Sequence, residues 1–253
     1  MRRIALRLMY DGTSFVGWQR QPNGRSVQEE LERMLGRLAG DRPVGVVGAG
    51  RTDSGVHAHG QVAHADIESR YDDAAILHAL DRMAPDDLAV TSLVTASADF
   101  HARYKAWSRS YRYSILLHPD PFRTRYAWRL QGMPDLAILR EASARLIGTH
   151  NFTTFSKNNP DTPNNVCTVT RAEWLAGEHG MDFHVTADRF LYGMVRLLVG
   201  WQIDCALGRR SPSELEELLA ERDRSLQSTS APAHALSLVA VGYPPEFDPF
   251  TTR

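Results

Sequence analysis

Ser26-Val27-Gln28-Glu29-Glu30-Leu31-Glu32-Arg33-Met34-Leu35-Gly36-Arg37-Leu38 is the stretch on which the fold turns. Ser26 stands three residues before Glu29, the spacing of a capping box that satisfies free backbone N–H groups at a helix start. Val27, Leu31, Met34, Leu35 and Leu38 then recur at helical spacing and form one apolar stripe. Upstream, residues 3–9 alternate instead, with Ile4, Leu6 and Leu8 on one side, which reads as a strand. The change from alternate to helical spacing marks a β–α unit.

Downstream the two periods keep exchanging. Strand-like runs cover Val44–Ala49 and Gln61–Ile67, a helix covers Asp73–Met83 and a strand covers Leu88–Thr95, so the first half reads βαββαβ. The second half opens with a long strand at Trp107–Leu117, where Tyr111, Tyr113, Ile115 and Leu117 share one face, and continues with a helix at Asp135–Ile147. Strands at Val166–Leu175 and Met181–Ala187, a helix at Phe190–Ala206, an extra acidic helix at Pro212–Arg222 and a strand at Leu236–Val241 complete it. The two halves share an order of elements without an obvious sequence repeat.

That order is the split βαβ arrangement, in which two helices cover one face of a four-stranded antiparallel sheet. Two such units joined edge to edge would each lose an exposed strand edge. The expected fold is therefore α+β: two ferredoxin-like halves forming a joined, mostly antiparallel eight-stranded sheet with helices on one face. No Pro/Gly-rich linker is present, and the expected boundary near Phe100–Ala106 divides an N-terminal subdomain, 1–105, from a C-terminal one, 106–253. The uncovered sheet face, or the cleft between the halves, is the expected place for a ligand.

At 253 residues the chain can bury a core that needs no staples. Cys167 and Cys205, without CxxC or CxxH spacing, give neither a disulfide framework nor a zinc site, which fits a reducing cytoplasm. Arg2 and Arg3 open the chain as a signal peptide might, but Arg7 and Asp11 break the apolar stretch that follows, so the first residue is expected to enter the fold. No run approaches the ~20 apolar residues a membrane span needs. The net charge of -1 excludes a generally basic nucleic-acid coat. Charge is nevertheless uneven: Arg103, Lys105, Arg109, Arg112, Arg123, Arg125 and Arg129 crowd between His101 and Leu130 against the single acid Asp120, whereas Glu214 to Asp223 is acidic. A polyanion would meet one face only.

Between the second and third strands lies Gly48-Ala49-Gly50-Arg51-Thr52-Asp53-Ser54-Gly55-Val56-His57-Ala58. Its glycines permit a tight loop that presents a side chain outward, and Asp53 sits in the middle. Taken alone, such a loop is compatible with an Asx-turn that leaves Arg51 in solvent, or with a carboxylate offered to a substrate. The packing of Arg, Thr, Asp, Ser and His between glycines raises the second reading, and composition alone leaves both open. His57, His59 and His64 do not match a zinc motif, and each is expected to pack or hydrogen-bond; neither metal nor cofactor is expected.

Gly50 to Ala58 resembles the signature loop of the tRNA pseudouridine synthase A family, and further matches follow in order along nearly the whole chain. They are Tyr10-Asp11-Gly12-Thr13 with Phe15, Gly17-Trp18-Gln19 and Gln21; Val27-Gln28; Phe100-His101-Ala102-Arg103; Tyr111-Arg112-Tyr113; Phe152-Thr153-Thr154-Phe155; Phe190-Leu191-Tyr192 with Met194-Val195-Arg196; and Ala231-Pro232-Ala233. Two positions depart from it: the family usually carries glycine where Ala235 stands and a larger polar residue where Gly193 stands.

The resemblance implies the pseudouridine synthase fold, tRNA as partner, a homodimer, and isomerisation of uridine to pseudouridine in the anticodon stem-loop, at positions 38–40. It makes Asp53 the essential carboxylate, offers Arg196 as the cation that steadies it, turns Arg51 toward the RNA around the displaced nucleotide, and places Tyr111 over the target base. Physical chemistry agrees with the first role, since a carboxylate can split one hard step into two through a covalent intermediate. One carboxylate would equally serve attack on the ribose, attack on the pyrimidine ring, or assisted elimination. Two rivals are weaker. An aspartyl-phosphate phosphatase, suggested by Leu8-Met9-Tyr10-Asp11-Gly12-Thr13, has Met9 where its nucleophile should be. A non-catalytic RNA-binding module would use Tyr111 and Tyr113 but leaves the Arg-Thr-Asp loop unexplained.

Overall fold

The computed structural model describes residues 1–160, 162 and 164–251. Among these the chain is mixed α+β, with ten strands and five α-helices. Its residues gather into two compact units, one formed by Met1–Ser108 with the chain from Leu238 onward, the other by Arg109–Ser237.

In the first unit, β1 (Arg2–Tyr10) lies between β3 (His57–Ile67) and β4 (Leu88–Thr95) and pairs antiparallel with both. Leu6 thus stands opposite Ala63 on one side and Leu93 on the other. The short β2 (Val46–Gly48) adds antiparallel to Ala63–Ala65 of β3. Further along β3, Gly60 meets Val239 of β10 (Leu236–Gly242), the strand that brings the end of the chain into this unit. Helix α1 (Val27–Leu38) starts where its cap directs, the Ser26 side chain accepting from the Glu29 N–H, and buries Val27, Leu31, Met34 and Leu35. It packs on β2 and on α2 (Asp73–Met83), which packs in turn on β4.

The second unit repeats the antiparallel theme with β5 (Ser108–Leu116), β9 (Gly180–Ala187), β8 (Val166–Ala176) and β7 (Gly148–Asn151) paired in that spatial order. A two-residue β6 (Trp128–Arg129) pairs parallel with Ile115 and Leu116. Strands this short carry no periodic signal, which is why β6 and β7 were not expected. Helix α3 (Leu136–Ala144) packs on β8 and on α4 (Met194–Ala206), and α5 (Leu215–Glu221) is the acidic helix. Helix α4 begins at Met194 rather than at Phe190, because Gly193 adopts a left-handed conformation, φ +73°, that helix interiors exclude.

One face of the first unit differs from expectation. Beyond the stripe of Ile4, Leu6 and Leu8, Ala5 is also fully buried, in a cluster with Ala49, Val62, Phe100, Ala102 and Tyr243. The Tyr243 hydroxyl closes it by donating to the Ala102 carbonyl at 2.7 Å. This face is therefore partly covered by the Phe100–Ala102 segment and the chain's end, not left open to a ligand.

His64 of β3 borders that cluster. It is 5% exposed, its Nδ1 accepts the Ala102 N–H at 3.1 Å, and its ring lies 4.6 Å from that of His101. Burial, assisted by the positive fields of His101 and Arg3, pushes its pKa down from 6.5 to about 4. The unfolded chain therefore takes up the proton first as pH falls. The stability contributed by neutral His64 is complete above about pH 6.5 and lost on approach to about pH 4, a difference of about 3 kcal/mol at most. Between about pH 6.5 and pH 4 the wild type should lose more stability to urea than His64→Asn, since His101 and His184 act in both; equal losses would rule this out.

Candidate active site

The glycine-framed loop leaves β2 with its main chain tied down from behind. Ala49 donates to the Val62 carbonyl at 2.7 Å, the Gln61 amide donates to the Gly50 carbonyl at 2.9 Å, and the Thr52 carbonyl accepts from Trp18 at 3.1 Å. Thr52 also turns inward, its hydroxyl 2.9 Å from that of Tyr10, whose pKa burial pushes up to about 12. With Thr52 buried, the neighbours Arg51 and Ser54 are exposed and Asp53 is half-buried at the bend. The Val56 N–H closes the bend by donating to the Asp53 carbonyl at 3.1 Å.

A second segment, Gly12 to Trp18, forms the other wall. The Phe15 carbonyl accepts from the Gly55 N–H at 3.4 Å and from the Ser54 hydroxyl at 3.3 Å. The approach is close enough to exclude side chains. A Cβ on Gly12 would lie 2.1 Å from the Val56 carbonyl oxygen, and one on Gly17, φ +107°, would lie 2.6 Å from the Thr52 carbonyl oxygen. The turn that presents Asp53 is thus fixed by backbone packed on backbone, with no freedom for a side chain to yield.

Of the four residues singled out from sequence, Asp53 and Arg51 lie on this loop in the first unit. Tyr111 and Arg196 lie in the second. Tyr111, 7% exposed on β5, stands edge-on to Phe190 with ring centroids 5.1 Å apart. Arg196 is half-buried on α4, where its Nε donates to the Ala231 carbonyl at 2.7 Å while the Ala231 N–H donates back to the Arg196 carbonyl at 3.1 Å. That exchange ties the Arg196 guanidinium and backbone to the Ala231 peptide. Neighbouring Tyr113 is buried, its hydroxyl donating to the Pro232 carbonyl at 3.1 Å; burial pushes its pKa up, the Arg196 charge opposing. Arg109 does not belong with the solvated cations of its run, since it is buried and donates to the Asp188 carbonyl at 2.8 Å.

His57 and His64 each use Nδ1 to accept a backbone N–H, from Gly12 and Ala102. Among the described residues no group of three or more His, Cys, Asp or Glu side chains is placed to hold a metal ion.

The family model described as tRNA pseudouridine synthase matches residues 8–105 and 142–244, which include Asp53, its clamp and Arg196. The chain belongs to the tRNA pseudouridine synthase family. Among its curated relatives, tRNA pseudouridine synthase A of Porphyromonas gingivalis is 40% identical over 248 residues, covering 96% of this chain and 98% of the relative. The Bacillus subtilis protein of the same name is 39% identical over 245 residues, covering 95% and 99%. As a tRNA pseudouridine synthase the chain is an isomerase that acts on tRNA uridine.

Gly193 is the left-handed residue before α4, and Ala235 is buried in a 3₁₀ turn, Ala233–Ala235, without a positive φ that would demand glycine. Gly12, Gly17, Tyr10, Gln61 and His57 were not recognised from sequence as supports of the loop. The signal available was that Tyr10, Gly12, Gly17 and His57 sit in the strings that match the family.

Proposed function

We propose that Asp53 is the carboxylate with which this synthase isomerises uridines at positions 38–40 of the tRNA anticodon stem-loop. The reaction breaks the bond between N1 of the base and the ribose, forms one from C5 to the same sugar carbon, removes the C5 proton and returns one to N1. The observation that carries the assignment is the half-buried Asp53 on a bend whose Thr52 and Asp53 carbonyls and Gly55 and Val56 N–H groups are all hydrogen-bonded. Catalysis by positioning needs such rigidity, because the reacting atoms must be held near attack geometry.

An aspartate ionises without help near pH 3.9. The harder task is to keep a carboxylate charged and aimed once RNA displaces water. A cation at ~4 Å is worth on the order of 4 kcal/mol at an effective dielectric near 20. Arg196 is the residue we assign to it, on family membership and on its anchoring by Ala231. Tyr111 stacks on the target base and assists the C5 proton, both within a phenol's reach. Exposed Arg51 engages the RNA left by the displaced nucleotide, and Arg103, Arg112, Arg123, Arg125 and Arg129 offset the unstacking cost of a few kcal/mol through phosphate contacts. The proposed working form is a cytoplasmic homodimer. No described helix is long and apolar enough to cross a membrane.

Tritium release from tRNA carrying 5-tritiated uridine tests the assignment. The wild type should release tritium, and tRNA from cells lacking the protein should lack pseudouridine at positions 38–40. Absence of release from every tRNA, or unchanged pseudouridines in those cells, would overturn it.

A further inference from the structure

His57 is 4% exposed, follows the signature loop directly, and has no part in the chemistry assigned above. Its Nδ1 accepts the Gly12 N–H at 3.0 Å and lies 3.1 Å from Oδ1 of Asp11. An Nδ1 that accepts this N–H is unprotonated, which puts the ring proton of a neutral imidazole on Nε2, whereas a proton on Nδ1 would point at Asp11 instead. The same Asp11 Oδ1 accepts from the Thr13 N–H at 2.9 Å and from the Thr13 hydroxyl, capping the 3₁₀ turn Gly12–Ser14.

Tracing the bonds outward from His57 gives a closed circuit. Nδ1 fixes the Asp11–Gly12 peptide; the Gly12 carbonyl accepts from the Phe15 N–H at 3.0 Å; the Phe15 carbonyl accepts from Gly55 and Ser54; and Val56, against whose carbonyl Gly12 is packed, donates to Asp53. His57 itself is the next residue after Val56. The circuit encloses the bend that carries the carboxylate.

We propose that His57 is a positioning residue for the synthase reaction: through its Nδ1 acceptor it sets the Gly12–Phe15 turn, and through that turn the placement of Asp53. This rests on the assignment of Asp53 as the reacting carboxylate. A buried N–H deprived of its acceptor would seek another partner and draw the turn with it. A displacement of about 1 Å at the reacting group is enough to cost about 100-fold in rate.

Two substitutions discriminate the δ-position acceptor from mere bulk. His57→Asn places an amide oxygen near the site of Nδ1, whereas His57→Gln moves the acceptor one methylene further out. In single-turnover tritium release, H57N should stay within about 5-fold of wild type and H57Q should lose about 100-fold in the rate of the chemical step, with the same tRNA Kd in both. Equal impairment of the two variants, an unimpaired H57Q, or a loss confined to tRNA affinity would overturn the proposal. Should H57Q fold poorly, nitrogen-15 NMR of the wild-type histidines decides: the proposal requires the His57 proton on Nε2, and a proton on Nδ1 would defeat it. An Asp53→Asn protein that turned over normally would sink the assignment of Asp53 instead, leaving the tautomer measurement as it stands.

Discussion

An Asp53→Asn protein should bind tRNA as the wild type does and release no tritium above background. Asparagine has nearly the shape of aspartate, and the groups that hold the bend, namely the Gly50 and Thr52 carbonyls, the Gly55 and Val56 N–H groups, Gly12 and Gly17, are untouched by the change. What is lost is the negative charge and one carboxylate oxygen. Removing a group that acts in the bond-forming step costs at least roughly 10⁴-fold. Filter binding with the same tRNA separates this from a folding defect. A non-catalytic RNA-binding module would keep its function in the variant, so turnover within about 100-fold of wild type would remove Asp53 from the chemistry.

Gly12→Ala should also be damaging, less so and by a different route. The added methyl would lie 2.1 Å from the Val56 carbonyl oxygen, 2.5 Å from its carbon and 3.0 Å from the Gly55 carbonyl carbon, all backbone atoms that cannot rotate aside. Either the Asp11–Gly12 turn or the Val56 peptide must move by about an ångström. Overpacking of this kind costs about 3 kcal/mol or more when nothing can relax, and the displaced bend should lose about 100-fold in rate. Gly45→Ala is the matched control, because a Cβ there meets nothing within 4 Å; it should change stability by less than about 0.5 kcal/mol. Thermal melting and single-turnover tritium release read the two effects. A Gly12→Ala protein with the stability and rate of the control would show that this contact does not fix the loop.

Much of the fold is written locally. Ser26 caps α1 as its spacing from Glu29 implies, the stripe of Val27, Leu31, Met34 and Leu35 is buried, and Ile4, Leu6 and Leu8 of β1 share a core, because caps and periodicity act within a few residues. Where a local rule fails, another local rule explains it: Gly193 at φ +73° defers the start of α4. Members of the candidate site stood out as residue types in a glycine-rich loop and as collinear strings resembling one family. Their supports did not, since nothing near Gly12 in sequence announces that Val56 will press against it.

By itself, then, the sequence determined the order and kind of the main elements, the loop that offers Asp53, and the family whose pattern the chain follows, all of which depend on neighbours in the chain or on strings readable in line. Only the tertiary structure decided that the strand after Ala235 packs beside Gly60, that Phe100 and Tyr243 cover a sheet face expected to be open, and that His57 reaches back to Gly12. These contacts join residues more than forty positions apart in sequence, as between Gly12 and His57. Partners so distant are chosen by register and by the space left between backbones, quantities that no local pattern carries.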